Sequence, residues 1–101
     1  MTQPTPTVTI HSSALQMPVV LARLTTYFLD ARYAFLQTYH SAGHVDIDVF
    51  DQHQQPLVSC TIREIGPDTR VPAPSVWPAP ETMAPDLVPL IYALVRACAA
   101  P

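Results

Sequence analysis

The sequence predicts an α+β fold, a two-layer arrangement in the order β-α-β-β-α, and three observations predict it. Short segments that alternate apolar and polar residues are typical of strands, and they flank one long segment with helical apolar spacing. A second helical segment, apolar on almost every side, closes the chain. A proline-rich stretch before that last helix predicts an extended strap. The simplest packing is a small antiparallel or mixed three-stranded sheet with both helices on one face.

The length and composition predict one globular domain. The chain has 101 residues, of which 49% are hydrophobic and 13% are charged, a balance that supports a core and is not typical of disorder. Pro4 and Pro6 mark residues 1–6 as a disordered tail. We therefore expect a single α+β domain over residues 7–101, with residues 66–86 as a proline-rich connector within it.

The first strand and the first helix follow the tail. Residues 7–11 alternate polar and apolar side chains and predict a short strand. Ser13 and Gln16 have the spacing of a capping box and Pro18 suits a first turn, so a helix should begin between residues 13 and 18. We expect this helix to run to about His40, with Gly43 as its stop signal. Its predicted apolar face consists of Leu21, Leu24, Phe28, Ala31 and Phe35.

A hairpin should follow, because residues 44–50 and 57–63 alternate apolar and polar side chains on either side of a turn. The turn resembles the Asp-x-x-Gly-x-Pro loops of many unrelated β proteins, with Gln54 in place of the glycine, and this resemblance identifies no family. Since a slip of one residue would bury the aspartates, the hydrophobic pattern sets the register. The expected inner pairs are Val45 with Ile62, Ile47 with Cys60 and Val49 with Val58. The expected outer pairs are His44 with Arg63, Asp46 with Thr61, Asp48 with Ser59 and Phe50 with Leu57.

The strap and the last helix form the remainder. Seven of the 12 prolines lie between Pro67 and Pro89, a density that excludes a helix or a central strand there. We expect Trp77, the only large side chain in residues 71–80, to pin the strap to the core. The last helix should begin near Asp86, a good N-cap residue. Its apolar surface is too extensive for full exposure, which predicts a place in the core or at an interface.

The charged residues argue against several functions. The net charge is −3, and all five basic residues are arginines scattered along the chain. Nucleic-acid binding depends on clustered basic charge, so we expect no nucleic-acid partner. Lysine and asparagine, both encoded by AT-rich codons, are absent, which suggests a high-GC genome of a bacterium or a phage. The absence of lysine also excludes Schiff-base and P-loop chemistry.

The cysteines and the apolar segments predict the cellular compartment of the protein. Cys60 and Cys98 each lie in an apolar run, which is not the pattern of a disulfide framework. The first basic residue is Arg23, so the N-terminal segment lacks the charged region of a secretory signal. The longest apolar segment, residues 87–100, is too short to span a bilayer. We therefore expect a soluble cytoplasmic protein with no membrane partner.

Candidate binding residues lie on the outer face of the predicted hairpin. His44, Asp46 and Asp48 share that face, Arg63 should lie opposite His44, and His11 joins them if the first strand pairs alongside. A histidine beside carboxylates suits a divalent metal or acid–base chemistry. A solvated strand face shows the same alternation, and we favour that interpretation.

Two further features bear on sites. His40 and His44 have the spacing of paired ligands on a helix, but Gly43 should end the helix between them. We therefore assign no catalytic residue, no metal ligand and no cofactor. The candidate binding residues are His44, Asp46, Asp48, Arg63 and Trp77.

The sequence favours a non-enzymatic protein-binding or assembly module, such as an inhibitor, adaptor, chaperone or immunity-type protein. The apolar last helix, the long first helix and an unpaired sheet edge all suggest a homodimer or a protein partner. The alternative is a small-ligand or metal-binding protein that uses the outer sheet face around His44, Asp46 and Asp48.

Overall fold

The computed structural model describes residues 5–99 and contains two helices and a five-stranded sheet. The strand order is β2-β3-β4-β1-β5, in which β1 runs parallel to β4 and the other neighbours are antiparallel. The α+β class and the mixed sheet are confirmed, while the three-stranded layout is wrong. The elements are β1 (Thr7–Ser13), α1 (Met17–Asp30), β2 (Ala34–Ser41), β3 (His44–Phe50), β4 (Pro56–Ile65), β5 (Ser75–Trp77), a 3-10 turn (Pro80–Thr82) and α2 (Val88–Ala99).

The core lies between one face of the sheet and the two helices. Alternate residues of β1, β3 and β4 are buried, and they form one cluster with side chains of α1 and α2. This burial is the main stabilising contribution to such a fold. The buried strand residues are Val8, Ile10, Val45, Ile47, Val49, Val58, Cys60 and Ile62; the buried helix residues are Met17, Val20, Leu24, Phe28, Leu90, Ile91 and Leu94.

The register of the β3–β4 hairpin is confirmed at six of the seven expected pairs, from His44 opposite Arg63 to Val49 opposite Val58. The seventh is wrong, because a register shift places Phe50 opposite Pro56 instead of Leu57. The cause is the turn, in which the Asp51 carboxylate accepts the backbone N–H groups of His53 (2.8 Å) and Gln55 (2.9 Å).

Gln54 occupies the position where comparable turns carry glycine. Its φ of 64° lies in the left-handed region, as the turn requires. The predicted turn is therefore confirmed, with a non-glycine residue in the conformation that favours glycine.

The first helix is shorter than expected. It ends at Asp30 instead of His40, in a hydrogen-bond pattern in which the Arg32 N–H reaches the Leu29 carbonyl (3.1 Å) and the Tyr33 N–H reaches the Phe28 carbonyl (2.9 Å). This is a Schellman motif, and its left-handed residue is Arg32, with φ 64°, where glycine is usual. Because no glycine marks this end of the helix, the helical spacing of the apolar residues predicted a helix that continues beyond Asp30.

Residues after that stop form β2, the strand absent from the prediction. Phe35 still reaches the core, and its ring lies 5.6 Å from the ring of Phe28. Gly43 ends no helix; it lies in the turn between β2 and β3, where a Cβ would come within 2.8 Å of Glu64 Oε2. The predicted start of the helix, between residues 13 and 18, is confirmed, since α1 begins at Met17 with Pro18 in its first turn.

The strap contains structure of its own. β5 pairs with β1 at the edge of the sheet, a place that the flanking prolines permit. Trp77 does not pin the strap, because it is 62% exposed; Val76 packs on the core and Met83 is buried instead. The last helix begins at Val88, two residues after Asp86.

Part of the predicted N-terminal tail, residues 1–4, lies outside the described residues, as do residues 100–101. Pro6, which also belongs to the predicted tail, contacts β4, because its carbonyl accepts the Ser59 N–H at 2.9 Å. Within residues 5–99, neither helix has the length and hydrophobicity needed to cross a membrane.

Candidate functional site

The sheet face opposite the helices carries polar side chains in cross-strand rows. Strand pairing places His44, Arg63 and His11 side by side at one end of the sheet. The next row contains Thr38, Asp46, Thr61, Thr9 and Ser75, and the row after it contains Leu36, Asp48, Ser59, Thr7 and Trp77. The candidate site lies where the first two rows meet the edge strand β2.

Three side chains converge at the turn end of the β2–β3 hairpin: His40, His44 and Asp46. The His40 Nε2 atom lies 2.6 Å from Asp46 Oδ2, and the His44 Nε2 atom lies 3.3 Å from Asp46 Oδ1. The two imidazole rings are 4.5 Å apart between centroids. One potential ligand atom from each residue falls within 4.8 Å of the others. The arrangement can hold a proton or a metal ion between the imidazoles and the carboxylate.

His40 reaches the cluster from the edge strand β2. Thr38, two residues earlier, lies opposite Asp46, so alternation along β2 places His40 on the same face as Asp46 and His44. Tyr39 pairs with Val45 and Ser41 pairs with His44, so a bulge leaves His40 with no partner position of its own on β3.

Asp46 is ionised and poorly solvated. Burial raises the pKa of its carboxyl, but hydrogen bonds from His40 and Thr61, together with the nearby His40 and His44 imidazoles, outweigh burial and hold the pKa below its usual value. Its Oδ1 atom is buried and accepts no hydrogen bond from residues 5–99, although His44 Nε2 lies 3.3 Å away. A buried acceptor on an ionised carboxylate calls for a cationic partner.

The structure brings together only some of the predicted site residues. His44 and Asp46 meet, Arg63 lies opposite His44 and Thr61 lies opposite Asp46, as predicted. The partner of Asp46 that was not predicted is His40. Asp48 belongs to the next row, between Leu36 and Ser59. Trp77 lies on the far edge strand.

His40 is the member of the candidate site that the sequence analysis missed. We noted its spacing from His44 but interpreted it on a helix. The available signal was Gly43 alone, a turn residue between two segments that contain strand-forming residues.

An open depression adjoins the cluster at the end of β1 and β4. Its volume is about 670 Å³, and its lining includes His11, His44, Arg63 and Glu64. The Nδ1 atom of His11 is buried there without a hydrogen bond. The depression carries both signs of charge, so its lining favours no single class of ion.

No family model, curated protein or solved structure matches the chain, so its site is interpreted from geometry and chemistry alone.

Proposed function

We propose that this protein is a cytoplasmic, non-enzymatic assembly module whose partner is a second copy of itself. In this proposal the β2 strands of two copies pair antiparallel and join the two five-stranded sheets into one. The proposal rests on one observation, the long and unprotected edge that β2 presents.

The β2 edge has none of the usual protective residues. β2 extends over eight residues, and among the described strands it pairs only with β3. Natural edge strands are commonly blocked by proline, lysine or other charges, or by being very short. Ala34–Ser41 contains no proline and no Asp, Glu, Lys or Arg, and its bulge lies at the turn end, beyond Tyr39. Residues 34–39 therefore offer a regular backbone for pairing.

Apolar side chains surround this edge. Leu36 is 58% exposed on the outer face, and Tyr39 is 65% exposed. Leu29, near the end of α1, is also exposed, and an open groove of about 350 Å³ between α1 and the end of β2 is lined by Met17, Leu21 and Tyr39 among others. Exposed apolar groups beside an open edge add burial to the backbone hydrogen bonds of a strand pair.

A second copy is the occupant that these features favour. Antiparallel pairing about a twofold axis brings the same patch of each copy together, so any charge on the edge would meet a like charge. Residues 34–39 carry no charge, which removes that obstacle. The pairing also closes the assembly, because each copy uses the only long sheet edge among its described strands and leaves β5 outside.

The other surface that we expected to bind a partner has less support. α2 turns Leu90, Ile91 and Leu94 into the core of its own chain, although Tyr92 is exposed. Of the features that suggested assembly, the sheet edge is the one that the proposal retains.

Sedimentation velocity over a concentration series tests the proposal. We expect a dimer for the wild type and a monomer for Leu36→Lys, because a charge on each copy would meet at the paired edge. The matched control is Trp77→Lys, which places the same charge on a residue of similar exposure, 62%, at the opposite edge. It should remain dimeric.

Hydrogen exchange identifies the surface used. The amides of residues 34–39 should gain protection as the wild-type concentration rises, while those of residues 75–77 should not. A wild-type monomer at about 100 µM would overturn the proposal, and so would a dimer that Trp77→Lys dissociates and Leu36→Lys does not. A monomer that adds a peptide strand at residues 34–39 would assign the edge to a different protein.

A further inference from the structure

We propose that the turn end of the β2–β3 hairpin is a binding site for one divalent transition-metal ion of the zinc class. The ligands are the Nε2 atoms of His40 and His44 and the carboxylate of Asp46. The site requires residues of one chain only, so it does not depend on the proposed dimer.

One pair of ligand atoms already has the spacing that such an ion needs, and the other pair reaches it by a small movement of His40. Zinc bound to nitrogen and oxygen at about 2.0–2.1 Å in a tetrahedron places its ligand atoms about 3.3 Å apart. The His44 and Asp46 atoms are 3.3 Å apart, and the His40 and Asp46 atoms are closer, at 2.6 Å. The His40 side chain is 45% exposed, so its ring is free to rotate outward and admit the ion.

The kinds of ligand select the class of ion. Two imidazole nitrogens and one carboxylate suit zinc and its transition-metal neighbours, whereas magnesium and calcium prefer oxygen ligands. Three ligands from the protein leave a position for water, and the exposed His40 side gives access to it.

A second observation points to a cation independently of the spacing. The Oδ1 atom of Asp46 is buried and accepts no hydrogen bond, although His44 Nε2 is only 3.3 Å away. An ion between these two atoms would satisfy both. Thr61, the cross-strand neighbour of Asp46 on β4, also hydrogen-bonds its carboxylate, as residues outside the ligand set commonly do in metal sites.

The alternative for this cluster is a hydrogen-bonded pair of His40 and Asp46 with no ion. The His40–Asp46 pair gives Asp46 Oδ2 a hydrogen-bond partner. It gives none to Asp46 Oδ1, and it does not explain why the His44 imidazole lies so close to that atom. Two rings that converge on one carboxylate are explained together by a shared cation.

Isothermal titration of ZnCl₂ into metal-free protein without an affinity tag tests the proposal, with MgCl₂ and CaCl₂ as parallel probes. We expect one zinc ion per chain, a rise in melting temperature by mass action and no response to magnesium or calcium. His40→Ala and His44→Ala should each weaken zinc binding at least about tenfold, since even residues that only orient ligands cost about 10- to 100-fold.

The control variant is His53→Ala. His53 is an exposed histidine in the β3–β4 turn, so its removal should leave zinc binding unchanged. Three results would overturn the proposal: no heat and no thermal shift at about 1 mM zinc, equal binding by wild type and both cluster variants, or loss of binding in His53→Ala. A titration stoichiometry of half an ion per chain would be a fourth, because it would assign the ion to a contact between copies, which sedimentation in zinc would detect.

Discussion

The two edges of the sheet are built from different sequences. β2 is eight residues long and contains no proline, while β5 is three residues long and lies between Pro74 and Pro78. Among the described strands, β5 pairs only with Thr7–Thr9 of β1, and the prolines around it leave few N–H groups for another strand. One edge is blocked by its composition, and the other requires a partner or remains an aggregation hazard.

The two edges are also held in different ways. β2 is supported from the helix layer, where Phe35 packs on Phe28 of α1. β5 is held by the partly buried Val76, and the strap that follows it is held by Met83. The difference shows that a strand can be placed by a helix beneath it or by anchors in the connection beside it. Substitutions at these positions should therefore affect the two edges differently, and four of them follow in order of decreasing effect on the free energy of unfolding.

Phe28→Ala should have the largest effect and should act on the β2 edge. Phe28 is fully buried and packs on both Tyr27 and Phe35, so truncation should lower the free energy of unfolding by about 3–5 kcal/mol. Urea denaturation measures the loss, and hydrogen exchange should show faster opening in residues 34–39 than in residues 75–77. Faster opening at β5 with β2 unchanged would contradict the proposed support.

Met83→Ala should act on the other edge. Met83 is 7% exposed and anchors the strap, so the free energy of unfolding should fall by about 2 kcal/mol, the lower end for a buried methionine. Exchange should accelerate in residues 75–77 and leave residues 34–39 protected. A neutral result would show that Val76 alone holds the strap.

Arg32→Gly should stabilise the protein by about 0.5–1 kcal/mol. Arg32 has a φ of 64° at the point where α1 gives way to β2, and glycine adopts this conformation without a steric penalty. Ala31→Gly is the matched control; its φ of −82° is ordinary, so glycine should destabilise there. Thermal and urea unfolding of both variants give the comparison, and equal effects at the two positions would refute it.

Trp77→Ala should have the smallest effect, within about 0.5 kcal/mol, because the side chain is largely exposed. Val76→Ala in the same strand should cost more, since Val76 packs on the core. If the tryptophan variant loses more stability than the valine variant, Trp77 is the anchor of β5 after all. Urea denaturation of both variants decides the order.

The sequence predicted part of the candidate site. His44 and Asp46 were expected on one face because their strand alternates, and the register with Thr61 and Arg63 followed from the apolar residues between them. His40 was not expected there, because it lies on a strand that the sequence analysis assigned to a helix. The exposed, unpaired character of β2 was inaccessible for the same reason.

By itself, the sequence determined the β3–β4 hairpin and its register, because a period of two leaves one arrangement that buries Val45, Ile47 and Val49 and exposes the aspartates. It also determined the turn at Asp51 and the exclusion of helix from most of the strap. Only the tertiary structure decided where α1 ends. Arg32 in a left-handed conformation and Phe35 packed on Phe28 make residues 34–41 a strand, although their apolar spacing fits a helix equally well. For a short apolar segment of this kind, packing against the rest of the chain outweighs local propensity.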